Sequence, residues 1–389
     1  MRLSQTLNIA DLRAIACNRL PRVIFDYIDG GVEDEDGMAR NLAAFERVRI
    51  VPRYLIDIAE RSQATTLFGQ RYAHPFGIAP TGLANLSWPG ADAALARTAT
   101  GADIPFVLST AATTSIEEAA EAAPDHFWFQ LYATIDLDIR ADLLRRAEEA
   151  GAKALMVTVD IPLASKRERD IRNNFILPLR PNVTMGLDAV THPHWALQLL
   201  RHGVPKLEVL APYAGKKAGA QSLAAYVASQ MTQSLTWDDI KALRKAWRGP
   251  LVIKGILSAS DAQEAARLGV DGIVISNHGG RQLDAAPAPI EVLSAIREAV
   301  GEDLALMLDS GVRRGADIAK ALALGADFVF VGRATLYGVA AGGEAGARRA
   351  LTLLTDELDR CLGQIGCPDV SRLRGVETRI DEGGFGGVG

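Results

Sequence analysis

Residues 276–284 read Ser-Asn-His-Gly-Gly-Arg-Gln-Leu-Asp and follow directly on the apolar run Gly272-Ile273-Val274-Ile275. A strand therefore ends in a base, two glycines and a fixed cation. Imidazole exchanges a proton near neutral pH. A guanidinium three residues on can hold a carboxylate through two parallel hydrogen bonds. Gly279 and Gly280 allow a sharp turn or a close approach of backbone to ligand. His278 and Arg281 together suit the gripping and deprotonation of a small acid. A polar turn closing a buried strand is the plainer reading of the same stretch. A second candidate is Lys254, inside the apolar run Leu251-Val252-Ile253-Lys254-Gly255. A lysine there needs a partner. It can hold an anionic cofactor atom, form a Schiff base, or sit in a structural ion pair.

The elements that must position these groups are legible as short apolar runs. They are Phe76–Pro80, Phe106–Thr110, Phe127–Tyr132, Ala154–Asp160, Leu251–Ile256, Gly272–Asn277, Leu304–Ser310 and Asp327–Gly332. Most are almost continuously hydrophobic, as strands covered on both faces must be. Helical patterns alternate with them: Gly90–Thr100, Ser115–Ala123, Leu137–Ala150, Ser258–Leu268, Ala288–Val300 and Gly315–Ala323. Ser115 with Glu118, Ser258 before Asp261 and Thr236 with Asp239 are cap signals. Eight strand-then-helix units predict an α/β fold of the (β/α)8 TIM-barrel type, with the working residues at the C-terminal ends of the strands. Those ends carry Pro80-Thr81-Gly82, Ser109-Thr110, Gln130 with Tyr132, Thr158 with Asp160, Lys254, Ser276–Arg281, Asp309-Ser310-Gly311 with Arg313, and Gly332-Arg333. The last two segments read as a phosphate site: backbone N–H groups at Ser310-Gly311 and Gly332, with charge from Arg313 and Arg333.

A chain of 389 residues, 48% hydrophobic, is long enough for one large barrel core. We read a single domain over 1–380, with the barrel at about 64–360 behind a helical preface of some 60 residues, and a disordered glycine-rich tail at 381–389. A net charge of −5 argues against a nucleic-acid partner. Cys17, Cys361 and Cys367 show neither metal-ligand spacing nor an even disulfide count, which implies no metal and a reducing, cytoplasmic setting. No signal peptide or bilayer-spanning run is legible. About 90 residues separate Asp160 from Leu251, a break in the rhythm that implies a functional loop at about 178–234. Its stretch 181–219 mixes Trp195, Leu197, Leu199, Leu200 and Leu210 with Arg201, Lys206, Lys216 and Lys217. Two readings stand: a lid over the site, or an interfacial segment that rests peripherally on the inner face of the cell membrane.

Taken together, Asp26-Tyr27 through Gly30-Gly31, Pro80-Thr81-Gly82, Trp128–Tyr132, Thr158-Val159-Asp160, Arg167-Glu168, Lys254-Gly255, Ser276–Asp284, Asp309–Arg314 and Gly332-Arg333 resemble the FMN-dependent L-2-hydroxy-acid oxidases and dehydrogenases. The resemblance runs from about residue 8 to 373. Leu83 to Pro89, Ala334–Gly338 and Gln364–Asp369 are most similar to the family's mandelate dehydrogenases; flavin lactate dehydrogenases are also close. The resemblance implies FMN across the barrel mouth. Pro80, Thr81, Gly82, Ser109, Gln130, Thr158, Lys254 and Ser276 would contact its ring and ribityl chain. Asp309, Gly311, Arg313, Gly332 and Arg333 would hold the ribityl end and phosphate. It also implies that Arg281 and Arg167 pair with the substrate carboxylate and that Tyr132 hydrogen-bonds the substrate. His278 would be the base, oriented by Asp160 as in a triad, with flavin N5 as electron acceptor. Whether a proton leaves carbon first, or hydride leaves as the hydroxyl is deprotonated, stays open. Relatives of this kind form tetramers or octamers, so a homo-oligomer is expected.

Three departures carry information. Phe25 stands where several relatives place a carboxylate-binding tyrosine, so one donor is expected to be missing. Ala111 and Ala164 replace the tryptophan and leucine of glycolate oxidase, which predicts room for an aryl or other bulky 2-hydroxy acid. Gly82 replaces the alanine common in the oxidases, which points to a dehydrogenase with a quinone-type acceptor. The rival within the family is an oxidase that reduces O2 to H2O2. An FMN barrel without net oxidation, such as an isomerase, is a rival class. A flavin-binding assembly protein would need a dead base, whereas His278, Asp160 and Arg281 are all present.

Overall fold

Three α-helices open the chain, the second and third with a clear apolar face. They are α1 (Ile9–Arg19), α2 (Arg22–Asp29) and α3 (Asp36–Arg47). Asn8 caps α1, its side chain accepting from Asp11 N at 2.9 Å. The computed structural model describes residues 1–175, 183–213 and 235–381. The expected tail beyond Asp381 and much of the expected loop, 176–182 and 214–234, lie outside those residues.

β1 (Val48–Ile50) pairs antiparallel with the last strand, β12 (Thr378–Ile380), and so ties the helical preface to the end of the described chain. β2 (Thr65–Leu67) and β3 (Gln70–Tyr72) form a hairpin through Phe68-Gly69, both at positive φ (51° and 78°). That is the turn geometry that follows strand twist. The hairpin plugs the barrel floor, and the first barrel strand begins at Phe76, where the first apolar run was read.

The barrel strands are β4 (Phe76–Ile78), β5 (Phe106–Ser109), β6 (Phe127–Tyr132), β7 (Leu155–Thr158), β8 (Leu251–Ile256), β9 (Gly272–Ile275), β10 (Ala305–Leu308) and β11 (Phe328–Val331). All pair in parallel, and β11 closes the ring on β4 through Val329↔Phe76 and Val331↔Ile78. These are the eight runs read from the sequence, trimmed by a few residues at their ends. Side chains alternate. Along β6, Phe127, Phe129 and Leu131 join the outer core beneath the helices, while Trp128 points into the lumen with Val107, Met156, Phe328 and Phe330. Leu67 and Tyr72 of the hairpin fill the same inner cluster from below.

α4 (Ala91–Gly101), α5 (Ile116–Ala122) and α6 (Leu137–Glu149) cover the first strands. The long connection after β7 holds α7 (Glu168–Arg172), α8 (Val183–Thr191) and α9 (Pro193–His202). Then follow α10 (Trp237–Ala246), α11 (Ala259–Arg267), α12 (Pro289–Val300), α13 (Gly315–Ala323) and α14 (Arg333–Gln364), the last bent at Gly342-Gly343. The expected caps are in place: Ser115 with Glu118, Thr236 with Asp239, and Ser258 accepting from Asp261 N.

Candidate active site

Every barrel strand delivers a residue to one cavity of about 490 Å3 at the C-terminal mouth. Pro80, Thr81 and Gly82 come from the β4 end and Ala111 from the β5 end. Tyr132 ends β6, and Ala164 and Arg167 follow β7. Lys254 lies on β8, and His278 and Arg281 follow β9. Asp309, Gly311 and Arg313 follow β10, and Gly332 and Arg333 follow β11. Ser109, Gln130, Thr158, Asp160 and Ser276 sit just behind this lining and reach it through hydrogen bonds or free polar atoms.

His278 is held by strained backbone. His278, Gly279 and Gly280 all adopt left-handed φ, at 58°, 69° and 72°. A Cβ on Gly279 would come within 2.6 Å of the Arg333 guanidinium, and one on Gly280 within 2.6 Å of Met38 N. Only glycine permits that packing. The loop is pinned from outside by α3, whose Gly37 N donates to Asp284 Oδ1 at 2.7 Å. His278 N donates to Ser276 Oγ at 3.0 Å, and His278 Nδ1 lies 3.0 Å from Asp160 Oδ1. With Nδ1 as donor to the carboxylate, Nε2 keeps its lone pair. Burial pushes the imidazole pKa down, and this outweighs the pull of Asp160. Burial would raise the Asp160 carboxyl, yet His278 and Lys254 hold it below its ordinary range. The pair is thus a neutral base backed by an ionised carboxylate. Gly255, at φ 108°, makes room for it, since a Cβ there would sit 2.5 Å from Asp160 Cβ.

Four guanidiniums in the mouth have no carboxylate within ion-pair distance among the described residues. Arg281 Nη1 donates to Tyr27 O and Gly30 O, each at 2.8 Å. Arg333 reaches Ile28 O, Gly279 O and Gly30 O. Arg167 meets Ser165 Oγ and Gln282 Oε1, and Arg313 only Val312 O. None has a carboxylate partner among the described residues, whereas Arg13 lies 2.5 Å from Asp29 nearby. Burial, with Arg167 and Arg333 close by, pushes Arg281 down to about 9; burial, with Arg313 close by, pushes Arg333 down to about 10. Arginine does not give up its proton in proteins. The depressed values measure an unmet demand for negative charge. Arg281 and Arg167 make one such place beside His278, and Arg313 and Arg333 make another beside Gly311 and Gly332.

Lys254 pairs with Asp309 Oδ2 at 3.2 Å and donates to Ser276 Oγ at 3.0 Å. Burial lowers its pKa, but Asp309 and Asp160 more than restore it. The ion pair with Asp309 favours a cation that holds an anionic group over a Schiff-base amine. Gln130 Oε1 accepts from Ser109 Oγ and Thr110 N, leaving Nε2 as a buried donor with no partner among the described residues. Thr158 Oγ1 is likewise buried without a partner among those residues. Buried polar groups are normally satisfied. An unspent amide donor, a hydroxyl and an ammonium at one end, and a glycine-lined pair of guanidiniums at the other, suit a planar heterocycle with acceptor atoms on its edge and a phosphate on its tail.

Two residues escaped the sequence reading, and one was misplaced. Phe25 does not line the cavity. It is 7% exposed in the core, with the Arg13 guanidinium 5.4 Å above its ring. Tyr27 enters instead: its hydroxyl lies 3.4 Å from Gly82 O, its ring stacks on Phe175 at 4.6 Å, and Arg281 sits 5.2 Å from its ring centre. A tyrosine hydroxyl from α2 therefore does reach the cavity. The signal was the helical period, since 25 and 27 differ by about 200° around α2. Asp170 also lines the cavity, its carboxyl pushed up by burial against the opposing pull of Arg281 and Arg167.

A parallel barrel whose mouth presents these unspent donors and cations is built for a flavin nucleotide, and the fold and site together define an FMN oxidoreductase. The chain belongs to the FMN-dependent dehydrogenase family, whose model matches residues 16–378, and its cofactor is FMN. It is 44% identical over 372 residues to (S)-mandelate dehydrogenase from Pseudomonas putida, covering 95% of this chain and 93% of that one. It is 41% identical over 373 residues to an L-lactate dehydrogenase of Caulobacter vibrioides, covering 96% and 97%. A crystal structure described as the monotopic membrane protein (S)-mandelate dehydrogenase superposes with a TM-score of 0.91 at 43% identity, covering 95% of this chain and 98% of that one.

Proposed function

We propose that the protein oxidises an L-2-hydroxy acid with a bulky, aryl-type side chain to the 2-oxo acid and passes the electrons to a quinone-type acceptor. The observation that carries this reading is the neutral His278, backed by Asp160, in one cavity with Arg281 and Arg167. The two guanidiniums bind the substrate carboxylate and so orient the hydroxyl-bearing carbon. Burial raises the pKa of both Tyr132 and Tyr27, so each stays a protonated donor toward substrate oxygen. His278 Nε2 takes a proton as the substrate is oxidised, and ionised Asp160 stabilises the imidazolium. FMN, when bound, supplies the two-electron acceptor. Lys254, Gln130, Thr158, Ser109 and Ser276 would hold its ring end, with the backbone at Pro80, Thr81 and Gly82. Asp309, Gly311, Arg313, Gly332 and Arg333 would hold its ribityl and phosphate end.

Ala111 and Ala164 leave space beside Ile161, Ile171 and Phe175, which supports a ring-bearing acid. Relatives at 44% and 41% identity carry mandelate and lactate in their names, and the small alanines favour the former. Gly82 supports the quinone-type acceptor. No helix among the described residues is long and apolar enough to cross a membrane. Peripheral attachment through the α8–α9 segment fits the exposure of Val190 (76%), Leu197 (45%) and Leu200 (84%) next to Arg201. The test is anaerobic addition of a panel of L-2-hydroxy acids to the yellow holoenzyme, followed by air or a soluble quinone. Bleaching fastest with aryl acids, and reoxidation by quinone but not air, is expected. No bleaching sinks the reading, and stoichiometric peroxide in air replaces the acceptor.

A further inference from the structure

The connection after β7 builds a second cavity of about 400 Å3 that the chemistry above does not use. One wall is the turn that follows Gly82, at Asn85 and Leu86; the other is α9 and the residues after it. Spacing shows which face of α9 is turned inward. Trp195, Gln198, Leu199 and His202 fall at i, i+3, i+4 and i+7, and all four line the cavity. Leu197 and Leu200 lie on the opposite face and are exposed. Trp195 Nε1 donates to Leu86 O at 2.8 Å and fixes the helix in this orientation. A helix held so, with leucines outward, rests in the plane of a bilayer surface. The cavity rim at Gly203–Lys206 then stands at headgroup level.

The polar lining is of mixed sign. Lys206 brings an ammonium and Glu208 a carboxylate. Gln198 brings an amide oxygen that is buried and meets no donor among the described residues. An anion alone would face Glu208 and leave the Gln198 oxygen unsatisfied, which is unfavourable. A phosphate joined to a primary ammonium answers Lys206, Glu208 and Gln198, with the His202 imidazole a further donor for the phosphate. The phosphate pairs with Lys206, and the N–H donors go to Glu208 and Gln198. A quaternary ammonium keeps the charge but has no N–H to give. We infer that this cavity is a headgroup site for a phosphoethanolamine lipid. The inference rests on the membrane reading above and adds a chemical preference to it. Because the turn at Asn85–Leu86 continues from Gly82, the bound headgroup would sit on the same loop that lines the active site.

The experiment is flotation of the FMN-loaded enzyme with vesicles of phosphatidylcholine alone, or with phosphatidylethanolamine or phosphatidylglycerol added. Partition about tenfold tighter onto the ethanolamine vesicles is expected, the size of one or two hydrogen bonds to charged groups. Lys206→Ala and Glu208→Gln should each abolish that preference while leaving phosphatidylcholine binding and the bound-flavin absorbance unchanged, which shows that the variants fold. Equal partition onto all three vesicles overturns the headgroup site and leaves the membrane reading standing. So does a preference for phosphatidylglycerol, which would indicate general charge attraction. A preference for ethanolamine that survives both substitutions also overturns the site. No partition onto any vesicle overturns both readings.

Discussion

On the barrel floor Trp128 meets Phe330 edge-on at 5.6 Å and Phe68 at 5.8 Å, and its indole N–H donates to Tyr72 at 3.3 Å. Two residues along the same strand, Gln130 ends in a buried amide nitrogen with no partner among the described residues, and Thr158 and Asp160 leave buried oxygens unpaired there too. These floor rings pack one against another, and Phe330 alone of them also borders the active-site cavity among the described residues. The mouth is left with spare donors and uncompensated cations. One set of strands therefore carries its stability at one end and its chemistry at the other, as barrels of this kind do. The difference is testable because substitutions at the two ends should separate rate from stability.

The largest expected effect is at the mouth. His278→Ala should slow substrate-dependent flavin bleaching by about 10²–10⁴-fold in anaerobic stopped-flow, with FMN content unchanged. In the unmodified enzyme the rate should be full while the imidazole is neutral and fall as pH drops through its pKa. Burial places that fall below the ordinary value of 6.5. A limb above 6.5 would contradict the desolvated base. The floor should respond in the opposite way. Trp128→Ala opens a cavity and should lower unfolding stability by roughly 3–5 kcal/mol, while the rate per bound FMN at 25 °C stays within a factor of about two of the original. A large rate loss there would mean that floor and mouth are not separable.

The same contrast explains what could be read in advance. The strand runs were legible because burial on both faces leaves a continuous apolar signature, and Ser115, Thr236 and Ser258 mark helix starts by local chemistry alone. The β2–β3 plug was not legible. Its strands are three residues each, and Gln70 and Arg71 break the apolar pattern. The pairing of β1 with β12 was hidden too, because it joins residues more than 300 positions apart. In the site, glycine and arginine spacing marked the His278 loop with Arg281 and the Arg313–Arg333 pair, while Arg167 came only from the family resemblance. The choice between Phe25 and Tyr27 depends on which face of α2 turns to the barrel. Packing decides that, and neither residue type reveals it.

Smaller effects should sharpen the division within the mouth itself. Arg167→Met removes a guanidinium whose side-chain partners among the described residues are Ser165 and Gln282. The loss of a hydrogen bond to a charge, roughly 1.5–3 kcal/mol, should raise KM for the acid about tenfold or more and leave FMN affinity untouched. If FMN is lost instead, the two cation pairs are not separate sites.

The smallest effect concerns shape. A Cβ at Gly82 would sit 3.3 Å from the Ala111 methyl, so residue 111 borders the part of the cavity nearest the β4 turn. Ala111→Trp fills that space. A ring-bearing acid should then lose its place while lactate, which needs little room, keeps its carboxylate contacts. Apolar pockets discriminate by about 1–3 kcal/mol, so the ratio of kcat/KM for mandelate over lactate should fall by roughly tenfold. Flavin bleaching with each acid in turn measures it. An unchanged ratio would mean that Ile161, Ile171 or Phe175 sets the side-chain limit, and that the small residue at 111 does not.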